Sequence, residues 1–412
     1  MTTFRVTSTS GDARCGVLTL DRSSGVEVET PAVLGYTRRG APLHLTHDVL
    51  AYLPQQARLL GVQPLAFAGD APAASTVATA GGLASFAGLP DCVLVASCRE
   101  PYAYDAAVAP KNSSHGSDAG IAVNMQAGTK RVGPIAYAEL LASLRCDIAI
   151  ALADEPVAGD SAKRQRACAE RTVRWLYDLR AALAVKAPDV LPSLWASIQG
   201  GGDVDERERA AQAAASLPVS GFSIGGFATG EAPDARTKLL HAACAALPAH
   251  LPRHVAGLNS PEEILDAVSC GVDVVDGGYA HATTTQGCAL LFPVDPQDTS
   301  GDTAVAPGVD GVKANLRALA FRLDGRPLCP GCSCFTCARH TRAYVHHLLD
   351  THEMLADILL DVHNTHHMLR FFAALRGSIG AGRFAEFRNF HLQRLQTARE
   401  AHAAAAADIQ AH

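Results

Sequence analysis

The chain has 412 residues, of which 48% are hydrophobic and 18% charged, and its formal net charge at pH 7 is −6. No apolar run approaches the roughly 20 residues needed to cross a bilayer, so the composition argues against a transmembrane segment and is typical of a soluble globular protein. The negative charge argues weakly against a nucleic-acid-binding protein when the chain is taken as a whole.

The N-terminal segment MTTFRVTSTS has no basic region followed by an apolar stretch, which a secretory signal or a transit peptide would show. Eight of the twelve cysteines are scattered singly, as expected for buried, reduced thiols. We therefore expect a cytoplasmic protein. Peripheral association with an organelle surface, such as the mitochondrial outer membrane, stays open.

Short apolar runs rich in β-branched residues recur along the chain, with amphipathic helical segments between them. Continuous apolar strands that alternate with helices indicate a parallel sheet buried on both faces, and eight of them match a closed (β/α)8 TIM barrel of the α/β class. A doubly wound open sheet is the alternative. The predicted strands are TPAVLGYT (30–37), PLAFAG (64–69), CVLVAS (92–97), CDIAIALAD (146–154), LWASIQG (194–200), GFSIGGF (221–227), RHVAGL (253–258) and VDVVDGG (272–278).

Polar residues follow several of these strands, where the ligand site of such a barrel lies. Carboxylates, an amide and exposed glycine backbone around one mouth suit a polar planar ligand such as a nucleobase. The structural alternative is that the aspartates cap the following helices and the glycines only turn the chain. The residues concerned are Asp154 with Glu155, Gln199 with Gly200, Gly225 with Gly226, and Asp276.

The run CSCFTC contains Cys332, Cys334 and Cys337, and His363 follows 26 positions after the last of them. Three thiolates and one imidazole are donors that a structural zinc ion accepts in tetrahedral geometry. The sequence therefore predicts one structural Zn²⁺, closed to substrate because all four ligands come from the protein.

Two helices are expected to bring His363 back to the cysteines. The segments ARHTRAYVHHLL and EMLADILLDVH read as the two arms of a hairpin. With a rise of about 1.5 Å per residue, the first arm travels roughly 18 Å outward and the second roughly 16 Å back, which returns His363 to Cys337.

Neighbouring residues leave the ligand set open. Cys329 and Cys332 frame a CxxC, which is compatible with an all-cysteine metal site or a redox pair. Ordinary reduced thiols beside a core histidine are the other alternative. The nearby histidines are expected to be solvated or to pack against helices rather than to bind metal: His346, His347, His352, His366 and His367.

The C-terminal part differs in charge from the rest. Residues 311–400 carry 12 Lys and Arg against 7 Asp and Glu. A phosphate backbone would be attracted most strongly to this part, although a solvated helical surface explains the charge equally well. We expect a barrel over residues 1–310, a metal-binding helical subdomain over 311–382 and a closing helix over 383–412.

Motifs along almost the whole chain resemble those of the tRNA-guanine transglycosylase family. ETPAVLGYTRRG resembles its first barrel strand, and IALADEP, SIQGG and IGGFATGE resemble segments around its base site. GLNSPEEILDAVSCGVDVVD resembles the stretch that leads to a nucleophilic aspartate, and CSCFTC with YVHHLL and DVHNTHHM resembles the zinc motif. The resemblance implies a (β/α)8 barrel with an inserted zinc subdomain. It also implies exchange of a guanine in tRNA for a modified deazaguanine through a covalent ribosyl-enzyme intermediate.

The resemblance also implies roles for single residues. Asp276 stands at the nucleophile position, where a carboxylate attacks the ribose while the departing base is held. Asp154, Gln199 and Gly226 match positions that read the base, and Glu231 follows the glycine-rich strand end as it does in the family.

Two departures separate this chain from catalytic members of the family. Where they carry a DSGGFQ-like strand end with a second essential aspartate, this chain reads VASCREPYAYD. Where they carry a basic PTRxGR-like loop, it reads GGYAHATTTQGCALLF, with no Arg or Lys between Asp276 and Phe292. Both departures resemble the inactive accessory chains of the eukaryotic, queuine-inserting members. The resemblance then implies a heterodimer in which this chain has a vestigial pocket, braces a catalytic transglycosylase subunit and helps to bind tRNA.

Two alternatives stay open. In one, the chain is an active transglycosylase with Asp276 as nucleophile and Asp105 or Asp118 in place of the lost carboxylate. In the other, it is a different zinc-containing barrel enzyme that acts on small molecules, and its charge asymmetry is accidental.

Overall fold

The computed structural model describes residues 2–20, 26–69, 73–98, 116–125, 128–157, 159–187, 191–227, 231–258, 260–296 and 308–410. The chain forms two compact units. The first unit consists of Met1–Leu43 with Arg58–Gly277, and the second of His44–Ala57 with Gly278–His412.

The strands of the described residues are short, and most belong to the first unit. They are β1 (Thr3–Ser10), β2 (Ala13–Leu20), β3 (Val26–Thr30), β4 (Ala32–Tyr36), β5 (Leu59–Val62), β6 (Val93–Ala96), β7 (Ile121–Met125), β8 (Gly128–Val132), β9 (Ile148–Ile150), β10 (Ser193–Ile198), β11 (Gly221–Ile224), β12 (Arg253–Val255), β13 (Val274–Asp276), β14 (Cys288–Leu290) and β15 (Lys313–Asn315).

In the same residues, no helix has both the length and the apolar character that crossing a membrane requires. The helices are α1 (His47–Leu50), α2 (Ala74–Thr79), α3 (Leu83–Phe86), α4 (Pro134–Leu144), α5 (Ala162–Lys186), α6 (Val204–Ala215), α7 (Pro233–Ala245), α8 (Pro261–Ser269), α9 (Gly278–Thr285), α10 (Phe335–Arg339), α11 (Arg342–Asp350), α12 (Met354–Gly380) and α13 (Phe384–Gln410).

Eight parallel strands of the first unit close into a barrel. In chain order, β4, β5, β6, β9, β10, β11, β12 and β13 each pair with the next, and β13 pairs back onto β4. At this closing pair Val274 lies opposite Ala32 and Asp276 opposite Leu34. Closure confirms the predicted (β/α)8 barrel and is incompatible with an open doubly wound sheet. The carboxyl ends of all eight strands meet at one mouth.

The second predicted strand was misplaced. The barrel strand is β5, whose four residues LLGV are all buried, whereas the predicted segment begins with a 3₁₀ helix at Pro64–Phe67. Pro64 stands at the first position of that helix, where its fixed φ is favourable and its missing N–H is not needed. The apolar run after Pro64 therefore continues in a helical turn rather than a strand.

A three-stranded antiparallel sheet of β1, β2 and β3, absent from the prediction, precedes the barrel. Its Leu18 and Leu20 join the buried cluster that contains Leu59 and Val93, which lie at the starts of barrel strands. Near this cluster the buried guanidinium of Arg14 donates to Asp273 through Nε at 2.9 Å and Nη2 at 2.5 Å. Burial raises the pKa of Asp273, and the charge of Arg14 opposes that rise. The sheet thus packs at the amino-terminal ends of the strands, away from the mouth.

The second unit is mainly helical. Its β14 and β15 form an antiparallel pair, and α12 and α13 have 27 residues each. The last helix matches the predicted C-terminal helix. The segment ARHTRAYVHHLL does not form the single helix that was expected, because α10 ends at Arg339 and His340 is extended at φ −130° and ψ 156°. A new helix then begins, where the Thr341 hydroxyl accepts a hydrogen bond from Tyr344 N–H at 3.2 Å.

Candidate functional site

Four side chains of the second unit converge on one point. The donor atoms of Cys332, Cys334, Cys337 and His363 all lie within 4.8 Å of one another. The three sulfur atoms lie 3.8, 3.6 and 3.3 Å from His363 Nδ1 in chain order. Zinc bonds of about 2.3 Å to sulfur and about 2.0 Å to nitrogen would place these atoms about 3.6 Å apart in a tetrahedron. The structure therefore brings together all four predicted ligands in an arrangement that can hold a metal ion.

The first turn of α10 shapes the cysteine side of this group. Cys334 is the N-cap residue of α10, and its Sγ accepts a hydrogen bond from Cys337 N–H at 3.3 Å. The Sγ of Cys337 accepts one from Cys329 N–H at 3.5 Å. Such donors stabilise thiolates. Cys329 contributes its backbone here, and its thiol is not a member of the group of four donors.

A hydrogen bond at Nε2 fixes the orientation of the His363 ring. The side chain is fully buried within α12, and Nε2 lies 2.9 Å from the carbonyl oxygen of Leu290 in β14. Nε2–H therefore donates to Leu290, which leaves the lone pair of Nδ1 directed at the three sulfur atoms. The sequence contained no signal for this contact, because 73 positions separate the two residues.

Asn364, the next residue in α12, holds β14 in place for this contact. Its Oδ1 accepts from Leu290 N–H at 2.9 Å, and its Nδ2 donates to the carbonyl oxygen of Cys288 at 2.9 Å and to the hydroxyl of Thr284 at 2.9 Å. The amide is completely buried with these bonds made. Asn364 is thus a positioning residue for the histidine ligand, and it was missed in the sequence.

The neighbouring histidines occupy other environments. His346 Nδ1 lies 2.7 Å from a backbone carbonyl oxygen, and His366 Nδ1 lies 3.8 Å from Cys332 Sγ, at the edge of the metal group. Burial, followed by the nearby charge of His363, lowers the pKa of His367 to about 3. His367 is therefore a neutral packing residue at physiological pH.

In the first unit, Asp276 is the last residue of β13 and lies at the barrel mouth, 4% exposed. Its Oδ2 accepts a hydrogen bond from Gly257 N–H at 2.8 Å. The adjoining cavity of about 10 Å³ has room for about one water molecule.

Among the described residues, the polar groups that line the cavity with Asp276 are not acids. The described residues that line the cavity include Gln63 after β5, Ser97 after β6 and His254 in β12, and Asp276 is the only carboxylate among them. His254 Nδ1 also lies 2.9 Å from the Ser223 hydroxyl. Residues 99–115, with Asp105, lie outside the described residues.

Asp154, predicted to read a base, is engaged by three donors. Its Oδ1 accepts from Gly116 N–H at 3.0 Å and from Arg164 Nη2 at 2.9 Å, and its Oδ2 accepts from Arg171 Nη1 at 2.5 Å. The carboxylate is 3% exposed, and both arginines belong to α5. In this structure the Asp154 carboxylate therefore holds the segment after β9 against α5. The sequence identified α5 as an amphipathic helix but did not reveal these arginines as partners of Asp154.

Asp118, the other candidate for the lost carboxylate, lies apart from the Asp276 cavity. Its side chain is 81% exposed, and its Oδ1 accepts from Arg171 Nε at 3.2 Å and Arg174 Nη2 at 2.6 Å. It sits in a tight turn closed by backbone hydrogen bonds between Ser117 and Gly120. It does not line the Asp276 cavity.

Gln199 and the glycines after β11 do come together, as predicted. A Cβ atom at Gly225 would lie 2.4 Å from Gln199 Nε2, and one at Gly226 would lie 2.8 Å from Gln199 Oε1, so only glycine fits beneath the amide. The amide is 1% exposed, and its two polar atoms have no hydrogen-bond partner among the described residues. A buried amide is costly in that state, which is what a polar ligand or a water molecule would relieve.

A buried arginine supports the same glycines and was missed in the sequence. Arg207 Nη1 donates to the carbonyl oxygen of Gly225 at 3.0 Å, and its guanidinium lies 4.1 Å from the ring centroid of Phe227. Glu231, further along the chain, accepts from Arg236 Nε at 2.7 Å. The mouth therefore keeps a glycine platform with an amide, while Asp154 and Glu231 form ion pairs with arginines.

Comparison with known proteins gives a consistent result over nearly the whole chain. A family model described as queuine tRNA-ribosyltransferase matches residues 8–397. Queuine tRNA-ribosyltransferase accessory subunit 2 of Xenopus tropicalis is 32% identical over 405 residues, which cover 92% of this chain and 96% of that protein. The protein of the same name from Homo sapiens is 29% identical over 400 residues, with 90% and 94% covered. A queuine tRNA-ribosyltransferase from Sphingopyxis alaskensis is 31% identical over 396 residues, with 94% and 96% covered.

Proposed function

The chain belongs to the queuine tRNA-ribosyltransferase family, and from that premise we propose that it is the non-catalytic accessory subunit of such an enzyme. In this role it forms a heterodimer with a catalytic homologue, braces it and helps to bind tRNA. The complex exchanges guanine for queuine at the wobble position. The accessory-subunit names of several relatives support this assignment.

The observation that carries the proposal is the composition of the Asp276 cavity. Asp276 keeps the position of a nucleophile, but the described lining offers an amide and a hydroxyl at Gln63 and Ser97, and no second acid. Removing one member of a catalytic group that acts as a unit typically costs several kcal/mol of barrier. Asp154, held by Arg164 and Arg171, gives a second reason for weak base binding.

We also propose that the metal is zinc and that its role is structural. Three thiolates and one imidazole suit zinc, and with four protein ligands no coordination position is open to a substrate. The ion would join the cysteine loop to the middle of α12 and so contribute directly to folding.

Contact with tRNA is supported by the charge of residues 311–400, where 12 Lys and Arg stand against 7 Asp and Glu. A basic surface attracts a phosphate backbone and brings it to the partner's active site.

The proposal is tested with the purified chain and with the chain co-expressed with a catalytic homologue. Alone, with tRNA and labelled guanine, the chain should incorporate no label. With the homologue it should co-purify at a one-to-one ratio, and the complex should incorporate label. Robust incorporation by the chain alone would show that the proposal is wrong.

One observation favours the alternative of an active transglycosylase. Asp276 is retained at the barrel mouth, and the bacterial relative carries the name of the enzyme rather than that of an accessory subunit. An active chain would form a covalent RNA adduct that disappears in Asp276→Ala. We expect no adduct with either protein.

A further inference from the structure

The inference concerns a cluster of charges on α5 beside the barrel mouth. We propose that Arg174 and Arg171 form a binding site for a phosphate group of RNA, and that the carboxylate of Asp118 occupies this site in the free chain. The inference rests on the proposed function, since it adds a tRNA contact in the first unit to the one expected in the second.

The geometry around Asp118 is that of a bound anion. One oxygen, Oδ1, accepts from Arg171 Nε at 3.2 Å and from Arg174 Nη2 at 2.6 Å. Arginine guanidinium groups bind carboxylate and phosphate oxygens with the same N–H donors. Asp118 therefore takes the place of a phosphate oxygen.

The carboxylate of Asp118 is bound only weakly in this site. The side chain of Asp118 is 81% exposed and that of Arg174 is 56% exposed. Exposed ion pairs contribute little because water and salt screen them. Asp118 also lies at the tip of the short turn between Ser117 and Gly120. A phosphate group with more negative charge can displace it.

The two arginines differ in role because of their burial. Arg171 is 16% exposed, and its Nη1 is committed to the buried Asp154 at 2.5 Å, so it is a fixed part of the barrel. Arg174 lies almost one turn further along α5, and among the described residues its ion pair is with Asp118. Arg174 is thus the arginine that can be changed without disturbing the buried cluster.

The local charge favours an anion even though the first unit is acidic in composition. The cluster contains two aspartates, Asp118 and Asp154. Three arginines of α5 surround them, and a fourth arginine, Arg131, donates through Nη1 to the Ser117 hydroxyl at 2.8 Å. With four arginines and two aspartates, positive charge exceeds negative charge by two groups in this cluster. The cluster stands on the surface rather than in an enclosed cavity, which suits a long polyanion that approaches the barrel mouth.

The test measures binding of fluorescent tRNA to the full-length, metal-loaded chain over a range of salt concentrations. Arg174→Gln should weaken binding several-fold and reduce the slope of log K against log salt by about 0.7 to 0.9, the value for one phosphate contact. Asp118→Asn should tighten binding because the competing charge is removed. The matched control is Lys186→Gln near the other end of α5, which also loses one charge and one surface ion pair, to Glu139 at 2.8 Å. It should bind as the wild type does.

The outcomes separate the possible roles. Unchanged tRNA affinity in Arg174→Gln, or weaker binding in Asp118→Asn, would show that the cluster is only structural. If inorganic phosphate stabilises the wild type against heat but not Arg174→Gln, while tRNA affinity is the same in both, the site binds a small phosphate and the inference is wrong. Failure to pair with a catalytic homologue would refute the proposed function but leave this direct binding result standing.

Discussion

The guanidinium of Arg171 lies 2.5 Å from Asp154, with side chains that are 16% and 3% exposed. In the family that this chain resembles, the position of Asp154 reads the base. Here the carboxylate is neutralised by the helix that follows its own strand. Because the carboxylate accepts from two arginines and a backbone N–H, these bonds would have to rearrange before Asp154 could turn toward a ligand, and in this structure the pair supports the barrel.

Arg171→Gln should therefore destabilise the barrel. It leaves a buried carboxylate short of one positive partner, which we expect to cost roughly 3 kcal/mol in the free energy of unfolding, measured with urea. The control is Arg166→Gln on the same helix, whose side chain is 60% exposed and pairs with Glu170. That change should leave the free energy of unfolding almost unchanged. Adding Asp154→Asn to Arg171→Gln should recover part of the loss, and equal losses in Arg171→Gln and Arg166→Gln would contradict this account.

The barrel could be predicted because its signal is local. Seven of the eight predicted strands overlap an observed barrel strand, since buried parallel strands are short apolar runs that stand out between helices. The strand predicted at PLAFAG was wrong because a proline at the start of an apolar run also begins a helical turn. The sheet of β1, β2 and β3 was missed because the polar, alternating residues of β1 resemble an exposed segment, although Leu18 of β2 packs against the barrel strands.

The metal ligands could be predicted because thiolate chemistry restricts the choice to a few residues. The residues that hold these ligands in position could not be predicted. Leu290 and Asn364 act through contacts between residues more than 70 positions apart, and any asparagine or leucine has the same local appearance. The ion pairs of Asp154 could not be predicted either, since arginines on an amphipathic helix are usually solvated.

The metal group should be essential for the second unit. Cys334→Ser removes one ligand while the serine hydroxyl can still cap α10, so we expect loss of zinc and unfolding confined mainly to the helices around the site. Zinc content by elemental analysis and hydrogen exchange of α10 to α12 would measure the two effects. Cys329→Ser is the matched control, because Cys329 supplies only its backbone N–H to Cys337 and should keep full zinc. Full zinc content in Cys334→Ser would refute the ligand set.

Asn364→Ala tests the support behind the histidine. The change removes two hydrogen bonds to β14 and one to Thr284 of α9, so the carbonyl oxygen of Leu290 should hold His363 less well. Loss of such a supporting contact typically weakens metal binding 10- to 100-fold, which competition with a zinc chelator would measure. Thr365→Ala, the next position in α12, serves as control and should bind zinc as the wild type does. Equal affinities in all three proteins would show that β14 does not orient the ligand.

The last prediction concerns acid sensitivity in the second unit. His391 of α13 is 1% exposed, and its ring packs against Phe371, Phe387 and Phe390 at centroid distances of 5.2, 4.4 and 5.2 Å. Burial lowers its pKa from 6.5 to about 4, with the charge of Asp295 acting weakly in the opposite direction. A histidine whose folded pKa is lowered stays neutral in the native state while the unfolded chain binds a proton, so stability is full above pH 6.5 and falls as the pH drops toward 4.

The loss should reach roughly 3 kcal/mol at the lower end of this range, at 1.36 kcal/mol for each unit of pKa difference. His391→Leu removes the titrating group while it keeps an apolar side chain among the three rings. Its thermal midpoint should therefore fall less between pH 7 and pH 4.5 than that of the wild type. Acid release of zinc affects both proteins alike, so the difference between their slopes isolates His391. Parallel slopes would mean that this ring is protonated, or reaches water, more readily in the folded protein than its packing indicates.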